Sequence, residues 1–191
     1  MPKTKTASRA SSRNPRRSSK KKSTKARKRL TSKPNARFAE ALIETRHSKI
    51  HGTGVYAIAP IKKGTRIIEY LGERISHAEA DRRYALKGDD DGHTFLFIAS
   101  SRTVIDAGVN GNDARFINHS CAPNCETVIE KSRVFIDAIR DIKPGEELGY
   151  DYQLTWESTD DPEELKLYAC RCGAKKCRGT MLDKDPVDKK K

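Results

Sequence analysis

The sequence lacks any long hydrophobic run. No stretch of its 191 residues approaches the roughly 18 to 20 consecutive apolar residues that a membrane-spanning helix requires, and the N-terminus has no apolar segment of signal-peptide length. We therefore set aside transmembrane and secreted classes and expect an intracellular protein without a membrane partner. The five cysteines are an odd count, which fits reduced thiols or a metal better than a disulfide framework.

Acidic residues are missing from the first part of the chain. Residues 1–36 contain 14 basic side chains and no acidic one, whereas residues 37–191 contain 25 basic and 26 acidic side chains, a net charge of −1. Without apolar periodicity, residues 1–36 are predicted to be a disordered basic tail. The run 20–29 (KKKSTKARKR) suits binding to a nucleic-acid backbone or a nuclear import signal. A solubilising tail without a partner is the alternative.

From residue 37 the pattern changes to short apolar runs separated by Gly, Pro and Asp, with enough chain for one domain. A helix is predicted at residues 76–86, where Ser76 is the N-cap and Glu79 completes a capping box. Strands are predicted at residues 38–44, 54–58, 66–71, 93–98, 103–107, 127–129, 134–138 and 147–150. The fold class is therefore mainly β with a small helical insertion (α+β).

Three segments carry residue types too particular for generic folding. Residues 51–54 (HGTG) place two glycines between predicted strands, which lets the backbone approach a ligand closely, although a plain structural turn explains the same pattern. Residues 115–125 (RFINHSCAPNC) are dense in hydrogen-bonding groups and include two thiols. Residues 145–152 (GEELGYDY) end in two tyrosines, for which aromatic packing is the ordinary explanation.

A fourth segment, residues 170–179 (CRCGAKKCRG), places three cysteines in a C-x-C-x4-C pattern. Closely spaced thiolates fit a structural zinc site, which takes four ligands, so the fourth ligand must come from elsewhere in the chain. Free or redox-active thiols are the alternative.

In this order and spacing the four segments resemble the SET-domain protein lysine methyltransferases with a post-SET zinc-binding segment, over roughly residues 38–182. Residues 69–73 (EYLGE) and 79–83 (EADRR) look like further stretches of that family. The resemblance implies a fold of several short β-sheets with a C-terminal pseudoknot, in which one segment threads a loop. It divides the chain into the tail (1–36), a SET domain (37–157) with an inserted helical segment (76–92), a post-SET segment (158–182) and a charged C-terminal tail (183–191).

The resemblance also implies site residues for methyl transfer from S-adenosylmethionine to a lysine ε-amine. Catalytic roles fall on Tyr152, whose hydroxyl would lie beside the transferring methyl group, and on Tyr70 and Tyr150 in the lysine channel. The cofactor-binding residues would be His51, Gly52, Thr53, Gly54, Phe95, Arg115, Asn118, His119 and Met181. One structural Zn²⁺ per chain would be bound by Cys121, Cys170, Cys172 and Cys177, which leaves Cys125 as a buried structural thiol.

Two aromatic positions bear on the details of this site. Tyr150 stands where the family has Phe or Tyr, and a hydroxyl at that position goes with mono- or dimethylation. Phe95 stands where many relatives have an active-site tyrosine, so this chain departs from the family by one hydrogen bond in the lysine or cofactor pocket.

We therefore expect a protein lysine N-methyltransferase whose substrate is a basic protein, such as a histone or a histone-like DNA-binding protein, in the nucleus or nucleoid. Nucleic acid would be a further partner through residues 1–36. One alternative is a catalytically inactive SET module that acts as a chromatin- or DNA-binding scaffold, and another is a tail that is itself methylated. Residues 89–91 (DDD) would attract a basic peptide or form a solvated acidic loop.

Overall fold

The computed structural model describes residues 38–85, 94–156 and 165–186. The tail at 1–36, the acidic residues 89–91 and the end of the chain from 187 lie outside the described residues. The described part forms short strands, one α-helix and two 3-10 helices at Ala39–Leu42 and Asp113–Phe116. The helix α1 spans His77–Ala85. The strands are β1 (Ile43–His47), β2 (Thr53–Ala57), β3 (Arg66–Glu69), β4 (Glu73–Ile75), β5 (Leu96–Ser100), β6 (Thr103–Asp106), β7 (Asn118–His119), β8 (Cys125–Glu130), β9 (Arg133–Ala138) and β10 (Gly149–Tyr150).

The strands form four small sheets, which confirms the predicted mainly β class. Two are three-stranded and antiparallel, in the orders β3-β9-β8 and β4-β6-β5. A third is the antiparallel pair of β1 and β2, in which Ile43 faces Ala57 and His47 faces Thr53. The fourth is the parallel pair of β7 and β10, which joins residues 118–119 to residues 149–150.

The core lies where these sheets meet, and half of the buried residues in its main cluster are the β-branched Ile and Val. Such side chains suit a pleated, half-buried surface, and strand β9 buries Val134, Phe135 and Ile136 in succession because it is the central strand of its sheet. Other members of the core are almost inaccessible to solvent: Val55, Ile61, Ile67, Ile117, Ile142 and Leu148. Cys125 belongs to the same cluster, as predicted for a structural thiol, and burial raises its pKa to about 12.

Helix α1 begins with the predicted N-cap, whereas the Glu79 carboxylate accepts hydrogen bonds from arginines rather than from the Ser76 N–H of a capping box. The backbone N–H of Glu79 donates to the Ser76 hydroxyl at 3.2 Å, so Ser76 caps the first turn. The Glu79 carboxylate forms ion pairs with Arg82 and Arg83 on the next turn of the helix. Within the described residues, no helix is both long and apolar enough to cross a bilayer.

Several predicted strand boundaries are wrong. Residues 39–42, predicted to be strand, form a 3-10 helix, and β1 starts at Ile43. The segment AEAL has little β propensity, and Phe38 before it packs against Phe135 at a ring distance of 5.9 Å. The strand predicted at 93–98 starts later, at Leu96, and β4 was not predicted because three residues give too short a pattern.

The parallel pairing of β7 and β10 brings two of the predicted motifs together. Ser120 N–H donates to the Tyr150 carbonyl at 3.0 Å, and Asn124 N–H donates to the Gly149 carbonyl at 3.2 Å. A Cβ atom at Gly149 would lie 2.9 Å from the Ser120 Cβ, so this close approach requires glycine. Threading of the C-terminal segment through a loop stays a prediction.

Candidate functional site

A cavity of about 450 Å³ lies between the turn before β2, the second 3-10 helix with β7, and residues 166–181. Eight of the nine residues predicted to bind cofactor line this cavity, together with Tyr152: His51, Gly52, Thr53, Phe95, Arg115, Asn118, His119 and Met181. Cys170, a predicted zinc ligand, also lines the cavity. The sequence did not assign a site role to the other lining residues, which are Ile50, Thr94, Phe116, Lys166, Leu167, Ala169 and Arg171. Segments that are far apart in the chain therefore build one pocket of ligand size.

The turn at residues 48–53 contributes residues 50–53 to the cavity wall. Ser48 N–H donates to the Gly52 carbonyl at 2.9 Å, and Gly52 has a φ of 46°, a left-handed conformation that favours glycine. The Asn118 amide donates to the carbonyls of His51 and Thr53 at 3.3 and 3.2 Å, which ties the turn to β7. Gly54 does not line the cavity, and its predicted contact with cofactor stays a prediction.

Arg115 places a positive charge on the cavity wall. Its Nη1 donates to the Ala107 carbonyl at 2.8 Å, and its guanidinium lies 4.6 Å from the Phe116 ring centre and 5.4 Å from that of Phe95. Within the described residues, its Nε is buried without a hydrogen-bond partner. Phe95, the departure from the family pattern, thus contacts a cation through its ring face.

The three tyrosines predicted to be catalytic lie in one aromatic cluster. The Tyr152 ring is 4.9 Å from that of Tyr150, and Phe97 links Tyr150 to Tyr70 at 6.5 and 5.4 Å. Tyr152 lines the cavity, whereas Tyr150 and Tyr70 lie behind it with exposures of 7% and 4%. Burial raises the pKa of each of these tyrosines, so all three hydroxyls stay protonated at neutral pH.

Tyr152 is held at both ends. Its hydroxyl donates to the Ile117 carbonyl at 2.8 Å, and its backbone N–H donates to Nδ1 of His119 at 3.2 Å. Because Nδ1 accepts this bond, the proton of the neutral imidazole sits on Nε2, which lies 3.3 Å from the Cys121 sulfur. Burial lowers the pKa of His119, in keeping with the neutral form.

Four of the five cysteines meet at one place beside the cavity. The sulfurs of Cys121, Cys170, Cys172 and Cys177 all lie within 4.8 Å of one another, and Cys121 is 3.7 Å from Cys170 and 3.9 Å from Cys177. Tetrahedral zinc with Zn–S bonds of about 2.3 Å requires sulfurs about 3.8 Å apart, so the donor set fits this ion. Backbone N–H groups approach these sulfurs from Cys121, Cys172, Arg178 and Gly179 at 3.4 to 3.5 Å, as suits thiolates.

An ion pair adds a second link between the cysteines and the tyrosines. The Arg178 guanidinium makes a two-pronged contact with the Asp151 carboxylate, one bond of which is 2.8 Å long. These hydrogen bonds are the main reason that the pKa of Asp151 lies below its usual value. Asp151 stands between Tyr150 and Tyr152, so the pair joins the residue after Cys177 to the aromatic cluster.

Sequence reasoning missed three residues that organise this region. Asn124 is buried and bridges the Glu147 carbonyl and the Gly149 N–H at 2.8 and 2.9 Å. Arg178 and Glu147 were also overlooked. All three stand inside quoted motifs, but their partners are distant in sequence, and no local pattern identifies them.

Comparison with known proteins agrees with this arrangement. The family model for the SET domain matches residues 52–153. A histone-lysine N-methyltransferase, H3 lysine-4 specific, from Eremothecium gossypii is 45% identical over 141 residues, which are 70% of this chain and 14% of that protein. The human histone-lysine N-methyltransferase 2D is 39% identical over 138 residues, 70% of this chain but 2% of that protein. The chain thus spans a small part of these relatives' length.

A solved structure supports the fold. It is described as ctPRC2 in an autoinhibited conformation bound to S-adenosylmethionine, and it aligns with 58% of this chain and 15% of its own at 35% identity and a TM-score of 0.54. The motif resemblance, the family model and the fold therefore agree. Since the model matches 102 of 191 residues, this chain belongs to the SET-domain family.

Proposed function

We propose that this chain is an S-adenosylmethionine-dependent protein lysine N-methyltransferase that acts on a histone. The observation that carries the proposal is the position of Tyr152. It borders the cavity with one part of its surface and packs against the buried Tyr150 ring with another. A methyl group bound in the cavity would thus be next to an apolar, aromatic compartment where a lysine side chain can lose water.

The turn at residues 48–53 and strand β7 would bind the cofactor. Residues 50–53 of the turn line the cavity together with Asn118 and His119, so their polar groups are available to a ligand, and the charged Arg115 suits an anionic group of that ligand. When bound, S-adenosylmethionine supplies a methyl group on a positively charged sulfur. The relative whose structure contains this cofactor supports the assignment.

The aromatic cluster would prepare the lysine. A free lysine amine has a pKa of about 10.4, and burial disfavours the charged ammonium form. Tyr70 and Tyr150 are buried and keep their own protons, so they offer hydroxyl oxygens to orient the amine without acting as strong bases. Most of the rate enhancement would come from alignment of the amine with the methyl group.

The four-cysteine group would bind one structural Zn²⁺. The sulfur spacing and the donor type support this assignment. The metal would take no part in the chemistry. It would hold residues 166–171 against the cavity and join them to Cys121, two residues after His119.

Histone H3 is the proposed substrate, because several relatives with 43 to 45% identity are named as H3 lysine-4 specific histone-lysine methyltransferases. A chromatin-associated, nuclear role follows from that substrate. Residues 1–36, with 14 basic and no acidic side chains, would bind the phosphate backbone of nucleic acid. The domain boundaries at 37, 157 and 182 are part of the same proposal.

Tyr150 would limit the product to mono- or dimethyl lysine. Its buried ring contacts both Tyr152 and Phe97, so its hydroxyl lies within the aromatic cluster. Replacement by Phe removes this hydroxyl with little change in volume. Mass spectrometry of the methylated peptide should show more trimethyl product with Tyr150→Phe than with wild type.

The test of the main proposal is transfer of labelled methyl from S-adenosylmethionine to core histones, linker histone and bacterial histone-like proteins. Wild type should label a histone, and Tyr152→Phe should reduce the rate by about 100-fold. A wild-type protein that binds histone or DNA but neither binds the cofactor nor transfers label would instead establish the inactive scaffold. Label on residues 1–36 would identify the tail as a substrate.

A further inference from the structure

The Glu147 carboxylate receives hydrogen bonds from three side chains without lining the cavity. Oε1 accepts from the Ser48 hydroxyl at 2.7 Å and from the Asn118 amide at 2.9 Å, while Oε2 accepts from the Tyr56 hydroxyl at 2.7 Å. All three partners act as donors, so an ionised carboxylate with acceptor sites on both oxygens suits the position. Hydrogen bonds of this charge-assisted kind are stronger than neutral ones.

The first arm of this network reaches the turn before β2. Ser48 is buried, and its hydroxyl oxygen accepts from the N–H groups of Ile50 and His51 at 2.9 and 3.4 Å. Its own N–H donates to the Gly52 carbonyl. Ile50, His51 and Gly52 all line the cavity, so the carboxylate acts on the cavity wall through Ser48.

The second arm reaches the same turn from the opposite side. Besides its bond to Glu147, the Asn118 amide nitrogen contacts the carbonyls of His51 and Thr53. One carboxylate oxygen, Oε1, therefore holds both Ser48 and Asn118. The turn and strand β7 share a common anchor that no local backbone pairing supplies.

The surroundings of Gly54 independently support the position of the Glu147 carboxylate. A Cβ atom at Gly54 would lie 2.2 Å from Oε1 of Glu147 and 2.9 Å from its Cδ. The carboxylate thus occupies the space that any larger side chain at this position would need. The second glycine of the motif at 51–54 is explained by Glu147 rather than by contact with the cavity.

We propose that Glu147 is a positioning residue that sets the geometry of the cofactor-binding wall. The inference rests on the proposed function. Glu147 does not line the cavity, and among the described residues no hydrogen bond joins it to Tyr70, Tyr150 or Tyr152. Burial and, after it, the charge of Glu147 raise the pKa of Tyr152, whose hydroxyl is protonated at neutral pH with or without Glu147. Its loss should therefore weaken cofactor binding, because the turn and Asn118 must be ordered when the ligand arrives, and it should leave the methyl-transfer step less affected.

The experiment compares Glu147→Ala and Glu147→Gln with Glu146→Ala as the matched control. Glu146 is the adjacent carboxylate, but it pairs with Arg140 at the surface and has no link to the turn. The Kd values of S-adenosylmethionine and S-adenosylhomocysteine are measured by calorimetry. KM for the cofactor and kcat are measured in methyl-transfer assays with a histone substrate. Glu147→Ala should raise the cofactor Kd and KM by about tenfold to 100-fold and lower kcat by less than about threefold. The cofactor Kd and KM of Glu147→Gln should lie between those of wild type and Glu147→Ala. The Kd and KM of the Glu146→Ala control should equal those of wild type.

Ser48→Ala covers the case in which Glu147→Ala fails to fold, because it removes one arm and leaves the carboxylate in place. Its cofactor Kd should rise about threefold to tenfold, and the double variant should be little worse than Glu147→Ala alone. A lowered melting temperature with an unchanged Kd and KM would mean a purely structural role and overturn the inference. If wild type did not bind the cofactor, the proposed function itself would be overturned. If wild type and Glu147→Ala bound the cofactor with the same Kd, only the role of Glu147 would be overturned.

Discussion

The cavity has two sides that are held in different ways. On one side, the glycine-turn wall (residues 48–53 with Asn118 and His119) is fastened to strands β2, β7 and β10 and to the main core. On the other side, the cysteine segment (residues 165–182) contributes little to the core: Leu182 is 4% exposed, but Leu167 is 66% exposed. Its backbone pairs with the rest of the chain through the bridge between Leu154 and Leu182.

The difference shows that the two sides of one binding site can be held in place by different kinds of interaction. The glycine-turn wall depends on buried side chains and hydrogen bonds that form when the domain folds. The cysteine segment has too few buried apolar groups to hold itself in place, so its position depends on four sulfurs that can share one metal ion. The two sides should therefore fail under different conditions.

Metal removal should produce the largest effect. Structural zinc contributes on the order of 10 kcal/mol to the folding of small metal-binding segments, far more than the few apolar contacts here can replace. Chelation, or Cys170→Ser, should detach the cysteine segment and weaken cofactor binding by about 100-fold or more. The sheets should persist. Zinc content, far-UV circular dichroism and protease cleavage between 165 and 182 measure these outcomes.

Cys125→Ala is the matched control for metal removal. Cys125 is buried in the core and lies outside the four-sulfur group. This variant should lose about 1 kcal/mol of stability through a small cavity and keep one zinc per chain. If chelation unfolded the sheets together with the segment, the two sides would be one cooperative unit and the comparison would fail.

An added methyl group at Gly54 should produce the next largest effect, on the glycine-turn wall. The new Cβ would meet Oε1 of Glu147, and overpacking of a filled site costs about 1 to 3 kcal/mol. Urea unfolding of Gly54→Ala should show this loss, with the zinc content unchanged. In a Glu147→Ala background the same substitution should cost much less. An equal cost in both backgrounds would place the strain elsewhere.

A smaller effect is expected at the ion pair that joins the two sides. The side chains of Arg178 and Asp151 are 35% and 22% exposed, so solvent screens their attraction, and the pair contributes about 1 kcal/mol or less. Arg178→Gln should make protease cleavage of the cysteine segment faster without a change in the zinc content of the intact protein. A double-mutant cycle with Asp151→Asn should give a coupling energy of that size. Additive effects would show that the two side chains do not cooperate.

The sequence predicts which residues form the glycine-turn wall better than it predicts the distant side chains that hold this wall in place. Strands with consecutive β-branched residues, such as β9, follow from composition. The unusual residue types at 115–125 mark that segment as a motif, and the resemblance to the SET-domain family then implies Asn118 and His119 as site residues. The helix start at Ser76 is likewise a local signal. Each of these features is encoded within about a dozen neighbouring residues, where periodicity and capping patterns operate.

Features that depend on distant partners could not be predicted. Ser48 and Glu147 are 99 residues apart, and no periodicity relates them. The 3-10 helix at Ala39–Leu42 is a different case: the prediction of a strand there is wrong although AEAL has little β propensity, so local sequence already argued against it. The fourth thiol, Cys121, came from the family resemblance, since the spacing of the other three indicates only that one ligand is missing.

Acid should separate the two sides with the smallest effect on the sheets. Thiol ligands must be deprotonated to bind a metal, so protons should release zinc and free the cysteine segment first. In the remaining domain, hydrogen bonds from Arg82 and Arg83 lower the pKa of Glu79 from 4.5 to about 2. An acid whose pKa is lower in the folded state stabilises the fold above its unfolded pKa, and this contribution is lost as the pH falls from 4.5 through 2.

Two acid transitions are therefore expected. Zinc release followed with a metal-sensitive dye should precede the loss of far-UV circular dichroism, and Glu79→Gln should make the second transition less steep below pH 4.5. Asp81→Asn on the same helix is the control, because Asp81 is exposed and the Arg82 and Arg83 contacts remain on Glu79. The zinc transition should be the same in all three proteins, since α1 has no part in the four-sulfur group. If both transitions occurred at the same pH, acid would release the zinc and unfold the sheets together. The cysteine segment and the glycine-turn wall would then not be separable by acid, although a chelator could still separate them.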